Sequence, residues 1–168
     1  MPFPISGAAG INLTATYTSG TQPMVIGTTV VASDASEYMF VRATSTIAQY
    51  DVCVIYNTSS ATGASIGCVP AETTNGLAAT RLAFAQTAIT SAEYGWVALK
   101  GNNLRVKALV SCNPKVPIFL TATAGSVDDA IVSGAYCMGV TLVSSATSAS
   151  APPCVVGNAA CIAYIGST

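Results

Sequence analysis

Charge is what this sequence has least of. Six Lys and Arg and seven Asp and Glu make up 8% of its 168 residues, where an ordinary globular domain carries about 25%. Histidine is absent. That removes the commonest general base, metal ligand and pH switch, and no Ser-His-Asp or Cys-His pair can form within one chain. The cations Arg42, Arg81, Lys100, Arg105, Lys107 and Lys115 are scattered, so no basic patch is expected to hold nucleic acid. No run reaches 18 apolar residues, which excludes a readable membrane-spanning helix. Phosphate-loop, dinucleotide and zinc-finger spacings are missing too. Nothing points to a cofactor or a metal.

Apolar residues are nonetheless 51% of the chain. They come in short runs separated by Ser, Thr, Gly and Asn. A surface built this way is either hydroxyl-rich or covered by partners, because most cytosolic monomers use charge for solubility. This reads as a component of an assembly; a secreted Ser/Thr-rich β domain is the alternative. The start, Met1-Pro2-Phe3-Pro4-Ile5, lacks the basic region and continuous apolar stretch of a secretory leader, so synthesis without export is expected. Six cysteines stand at 53, 68, 112, 137, 154 and 161. Without export they are expected as buried free thiols, with Cys154 and Cys161 the pair most suited to a disulfide.

Residues 1–24 read as an extended N-terminal arm. Pro2, Pro4 and Pro23 exclude regular helix, and Gly7, Gly10 and Gly20 break any long strand. Such a segment gains order only by packing on something else. Residues 25–168 read as one all-β domain, a β-barrel or β-sandwich of about ten short strands punctuated by Gly, Asn, Asp and Pro. The expected strands are 25–31, 37–43, 50–56, 66–69, 81–89, 94–100, 104–112, 117–123, 135–144 and 159–165. The clearest local pattern is 94–112, read as a hairpin about Gly101-Asn102-Asn103. Its alternation sets Arg105 and Lys107 opposite Leu104, Val106 and Val110. Helix is poorly supported, and 144–153 is a low-complexity loop.

Few residues are candidates for chemistry. Asp128 and Asp129 are the one adjacent carboxylate pair. On a strand they would point to opposite faces, so a turn or cap is expected. Tyr94-Gly95-Trp96 holds the single Trp. Tyr94 and Trp96 are expected to pack in the core or at a subunit interface; an exposed aromatic platform for glycans is the rival reading. In the arm, Phe3, Pro4 and Ile5 suit docking on a partner, because a proline-stiffened segment loses little entropy on binding.

Three blocks carry a resemblance. They are Glu37-Tyr38-Met39-Phe40-Val41-Arg42-Ala43 with Ile47-Ala48-Gln49-Tyr50-Asp51-Val52, then Phe84-Ala85-Gln86 with Glu93-Tyr94-Gly95-Trp96-Val97-Ala98-Leu99-Lys100-Gly101, and Val127-Asp128-Asp129-Ala130 before Gly139-Val140-Thr141-Leu142. In this order they resemble small capsid decoration, or cement, proteins of tailed bacteriophages. The resemblance implies an all-β structural protein, not an enzyme, on the outside of the assembled head. There it would bridge major capsid protein subunits, often as a homotrimer, with Phe3, Pro4 and Ile5 as capsid contacts. It brings no catalytic, cofactor or metal residues. The alternative function is a glycan- or host-surface-binding β module of a head fibre or tail component.

Overall fold

A computed structural model describes residues 11–60, 63–76, 81–131, 135–147 and 151–163. The chain is nearly all β, as expected, and its centre is a five-stranded barrel. The strands are β1 (Thr29–Val31), β2 (Glu37–Ala43), β3 (Val52–Ser60), β4 (Gly63–Pro70), β5 (Arg81–Ala85), β6 (Tyr94–Arg105), β7 (Phe119–Leu120), β8 (Val127–Asp128), β9 (Ala135–Leu142) and β10 (Pro153–Ala163). One helical turn, α1 (Thr73–Gly76), precedes β5. The order β2-β4-β3-β5-β6 closes on itself through β2–β6 pairing. Only β2–β4 is parallel within that ring.

Period-2 alternation decides what each face does. One buried cluster takes Met39 and Val41 from β2, Cys53 from β3, Cys68 from β4, Ala83 and Ala85 from β5, and Val97 and Leu99 from β6. Every strand of the ring contributes, so this cluster is the barrel interior. It is rich in Ala and Cys because five strands enclose little volume. The opposite faces, with Phe40, Val54, Leu82, Phe84 and Trp96, join a second cluster outside the ring. That outer face is covered by residues 11–26, β1 and a second sheet.

The second sheet grows out of the barrel through β6. Its first half pairs with β2 and β5, and its last residues pair with β10. From there the order runs β10-β9-β7-β8. The expected hairpin at Gly101-Asn102-Asn103 is therefore wrong: β6 passes straight through. Gly101 is needed for a close approach, since a Cβ there would stand 2.4 Å from Ser36 Oγ. The face alternation after it holds for Leu104, Arg105 and Val106, but Val110 is exposed. Strand β10 also starts earlier than expected, at Pro153; proline is tolerated as the first residue of a strand.

A small turn recurs at the barrel ends. Ala48-Gln49-Tyr50-Asp51, Thr90-Ser91-Ala92-Glu93 and Leu109-Val110-Ser111-Cys112 each bond the first C=O to the fourth N–H, at 3.2, 3.0 and 3.4 Å. Each holds its third residue at positive φ: Tyr50 at 70°, Ala92 at 71°, Ser111 at 70°. This is the pattern of a type II turn built without glycine. In the first two the carboxylate at the fourth position accepts the first residue's N–H, Asp51 from Ala48 at 2.8 Å and Glu93 from Thr90 at 3.3 Å. Where β5 stops, the Gln86 side-chain amide replaces a ladder partner. It accepts from Arg105 N–H and donates to Arg105 C=O, both at 3.0 Å.

Asp51 fastens the two sheets together. It is 3% exposed, and Lys107 Nζ reaches its Oδ1 at 3.3 Å. Gly125, at φ +77°, lies so close that a Cβ would sit 2.3 Å from the carboxylate. Gly125→Ala is expected to destabilise by about 2–4 kcal/mol, through left-handed strain and overpacking together. The melting midpoint should fall by about 5–15 °C. At exposed Ala92, Ala92→Gly is expected to stabilise by about 1 kcal/mol, since glycine adopts positive φ without penalty. Chemical denaturation of the two variants checks both signs.

Candidate functional site

The first expected anchors, Phe3, Pro4 and Ile5, lie outside the described residues. The rest of the arm, from Ile11, packs on the chain's own barrel. Leu13 is buried. Tyr17 and Tyr94 exchange two backbone hydrogen bonds, at 2.9 and 2.8 Å. The Tyr17 ring meets Phe40 edge-on at 6.0 Å.

Tyr94 and Trp96 belong to the same aromatic group. Phe40 lies stacked 6.2 Å from Tyr94 and tilted 5.0 Å from Trp96. Trp96 is 1% exposed and Tyr94 8%, so neither forms an exposed platform for a sugar. Trp96 Nε1 has no hydrogen-bond partner. The indole is held by packing alone, in a layer where aromatic pairs contribute beyond their buried area.

One cluster was not visible in the sequence. Cys112, Asp128 and Asp129 bring their ligand atoms within 4.8 Å of one another. The adjacent aspartates converge because β8 ends at Asp128 and the chain turns there, so strand alternation does not apply. Asp129 Oδ2 accepts from Asn113 N at 3.1 Å and Asn113 Nδ2 at 2.7 Å. The hydrogen bonds from Asn113 hold the Asp129 carboxyl below its usual range, while burial holds Asp128 above. Burial and both aspartates push the Cys112 thiol up to about 11. At neutral pH it is a thiol, a poor metal ligand, and the group acts as a polar clasp between two loops.

Most other described carboxylates are also engaged within the fold. Glu37 pairs with Lys100 at 2.7 Å, Asp34 accepts from Ser36 N at 3.0 Å, and Asp51 and Glu93 close the turns above. Lys100, Arg105 and Lys107, close in sequence, take separate partners. Lys100 meets Glu37, Arg105 lies 5.9 Å from the Tyr50 ring centre, and Lys107 meets Asp51.

Cys53, Cys68, Cys112 and Cys154 are free and buried. Cys154 and Cys161 cannot be joined. They sit on the one strand β10 opposite Leu142 and Cys137 of β9, five residues apart, roughly 17 Å along the strand and far beyond disulfide reach. A groove of about 810 Å³ lies between residues 20–26 and the base of the β3–β4 hairpin at Asn57 and Ile66. Compared with known proteins, the chain matches no family model, no curated protein and no solved structure.

Two measurements follow from this interior. Acrylamide should quench the fluorescence of Trp96 only weakly, and added mono- or oligosaccharides should leave it unchanged. Burial raises Cys154 to about 12 and Cys112 to about 11, against 9.0 when unburied. The stability these protonated thiols contribute is fully present below pH 9 and is lost as pH rises through about 11 to 12. The midpoint of unfolding should therefore fall above pH 9. Reaction of Cys112 and Cys154 with a thiol reagent at pH 8 should wait on unfolding.

Proposed function

We propose that this chain is a structural decoration protein of a tailed-phage head, binding the outside of the assembled capsid and bridging its major subunits. The proposal starts from the ordered blocks between Glu37 and Leu142 that resemble such proteins. The observation that carries it is the character of one loop end. Here Val110 is 58% exposed, Ile131 69% and Val143 51%. Their loops are tied together by Ser111 N to Ala146 O at 2.8 Å, Lys115 N to Leu142 O at 3.2 Å and the Asn113–Asp129 bonds. Aliphatic side chains held out on a fixed support are costly in water and favour an interface. A surface with few charges suits burial between subunits, because interface cores are depleted of charge.

The mechanism is mass action. A protein that binds only the closed, expanded shell stabilises that shell against every broken form. Many weak contacts on one lattice reinforce each other when copies are linked. A homotrimer would link three such contacts, and no catalytic step is involved.

Purified protein mixed with expanded, undecorated heads should co-sediment and give ordered density at fixed lattice positions by cryo-electron microscopy. Val110→Asp with Ile131→Asp should lower the apparent affinity at least about tenfold without altering the circular dichroism. A folded wild-type protein that leaves cognate heads bare would overturn the proposal.

A further inference from the structure

The groove beside Ile66 is a gap in the sheet. One edge of β2 is shared by two strands. Residues 37–39 pair with β1, and residues 42–43 pair with β4. Between them Gly27 N donates to Phe40 O and Phe40 N to Thr28 O. Strand β4 cannot follow β2 into that occupied space. Its register with β2 ends at Gly67, and β4 from Ser65 back to Gly63 pairs only with β3. The groove is the wedge so opened. Met24, Val25 and Ile26 line one side, and the cross-strand pair Asn57 and Ile66 the other. Val25 is 80% exposed there. No charged residue lines it.

Pairing alternation shows what the free edge offers. Thr44 N donates to Cys68 O, so the backbone groups of Cys68 face β2. Those of Ile66 and Ala64, two and four residues away, point to the same side. The Arg42–Gly67 bridge occupies Ile66 C=O with Arg42 N–H, but Ile66 N–H and the backbone groups of Ala64 have no strand partner on that side among the described residues. A row of unpaired N–H and C=O groups beside an apolar groove accepts an added strand.

We infer that this wedge receives the N-terminal segment Pro2-Phe3-Pro4-Ile5 of a second copy of the chain, added as a short edge strand on β4. The segment has a one-sided pairing pattern. In an extended strand Phe3 and Ile5 direct their backbone groups to one edge and their side chains to one face. Pro2 and Pro4 take the other edge, where no N–H is present to pair. It can bond to β4 and stops further addition. Phe3 and Ile5 supply apolar side chains to match Met24, Val25, Ile26 and Ile66, and neither segment nor groove carries a side-chain charge. Ser6-Gly7-Ala8-Ala9-Gly10 is a small-residue tether of about 15–18 Å at full extension.

The partner is a second copy because of where the arm starts. Leu13 and Thr14 line a hollow with Tyr38, Asn103 and Leu104, near the start of β2. The chain then crosses the barrel past Tyr94 before reaching the groove at residues 20–26. To fill its own groove, the segment would have to double back over that path. A neighbour's arm has no such path to retrace. This inference does not depend on the capsid reading, and its test contains no capsid.

The experiment compares the full chain, a variant lacking residues 2–5, and Val25→Asp, whose exposed position keeps the fold intact. Light scattering after gel filtration should find an oligomer for the full chain and monomers for both variants, with unchanged circular dichroism. Hydrogen exchange at Ala64 and Ile66 should be slow in the full chain and at least tenfold faster in both variants. Adding the free peptide Met-Pro-Phe-Pro-Ile-Ser should restore protection to the truncated protein but not to Val25→Asp. A photo-crosslinker at position 3 should join two chains at residues 24–26. An unchanged oligomer and unchanged exchange after truncation would overturn the inference, as would crosslinks confined within one chain.

Discussion

Asp51 is the constraint on which the two halves of this protein depend. A carboxylate almost shut off from water must have its lone pairs occupied, or burying it costs several kcal/mol. Ala48 N–H and Lys107 occupy them here. The residue's own backbone extends the same joint. Its C=O accepts from Ala85, the neighbouring Val52 N–H reaches Gly125, and Tyr50 C=O accepts from Lys107 N–H. One side chain thus shapes the turn entering β3, fixes where the second sheet meets the barrel, and requires glycine at position 125. The ion pair is half open to solvent at Lys107, so its Coulomb energy is modest. Its importance is geometric: few other arrangements satisfy the buried oxygens.

The second constraint is that β2 has too many neighbours. One edge is taken by β6, and the other is divided between β1 and β4. Dividing an edge lets a five-stranded ring close while the outer face stays covered by β1 and the arm. It also ends the register of β4 with β2 at Gly67. The groove at the base of the β3–β4 hairpin is thus a consequence of closing the barrel.

Strands β2, β3 and β6 were readable as short runs of β-branched, aromatic and other apolar residues, because both of their faces are buried, one in each cluster. Trp96 in a packed strand was readable for the same reason. Gly101-Asn102-Asn103 misled, since residues that tolerate tight turns also permit close approach, and only the tertiary neighbour Ser36 separates the two uses. The recurring turn escaped notice because its third residues are Tyr50, Ala92 and Ser111, where turn chemistry leads one to seek glycine. Its detectable trace was the shared Ile-x-x-x-acid spacing of Ile47 to Asp51 and Ile89 to Glu93. Convergence of Cys112 with Asp128 and Asp129 had no local signal, because it arises from loops joined only in the fold.

The near absence of charge can now be given a physical reading. Most of the described carboxylates serve turns and clasps within the chain, and two of the cations answer them. What remains for the surface is four dispersed cations, Arg42, Arg81, Arg105 and Lys115, among hydroxyl groups, backbone and isolated aliphatic side chains. Such a surface has little long-range field with which to steer a partner or repel a copy of itself. Association must then rest on short-range fit, which gives slow encounter and weak single contacts unless several are made at once. A free strand edge supplies direction through backbone hydrogen bonds, and an exposed aliphatic end supplies desolvation energy. Neither is strong alone. A protein of this kind holds a partner firmly only where geometry brings several such contacts together.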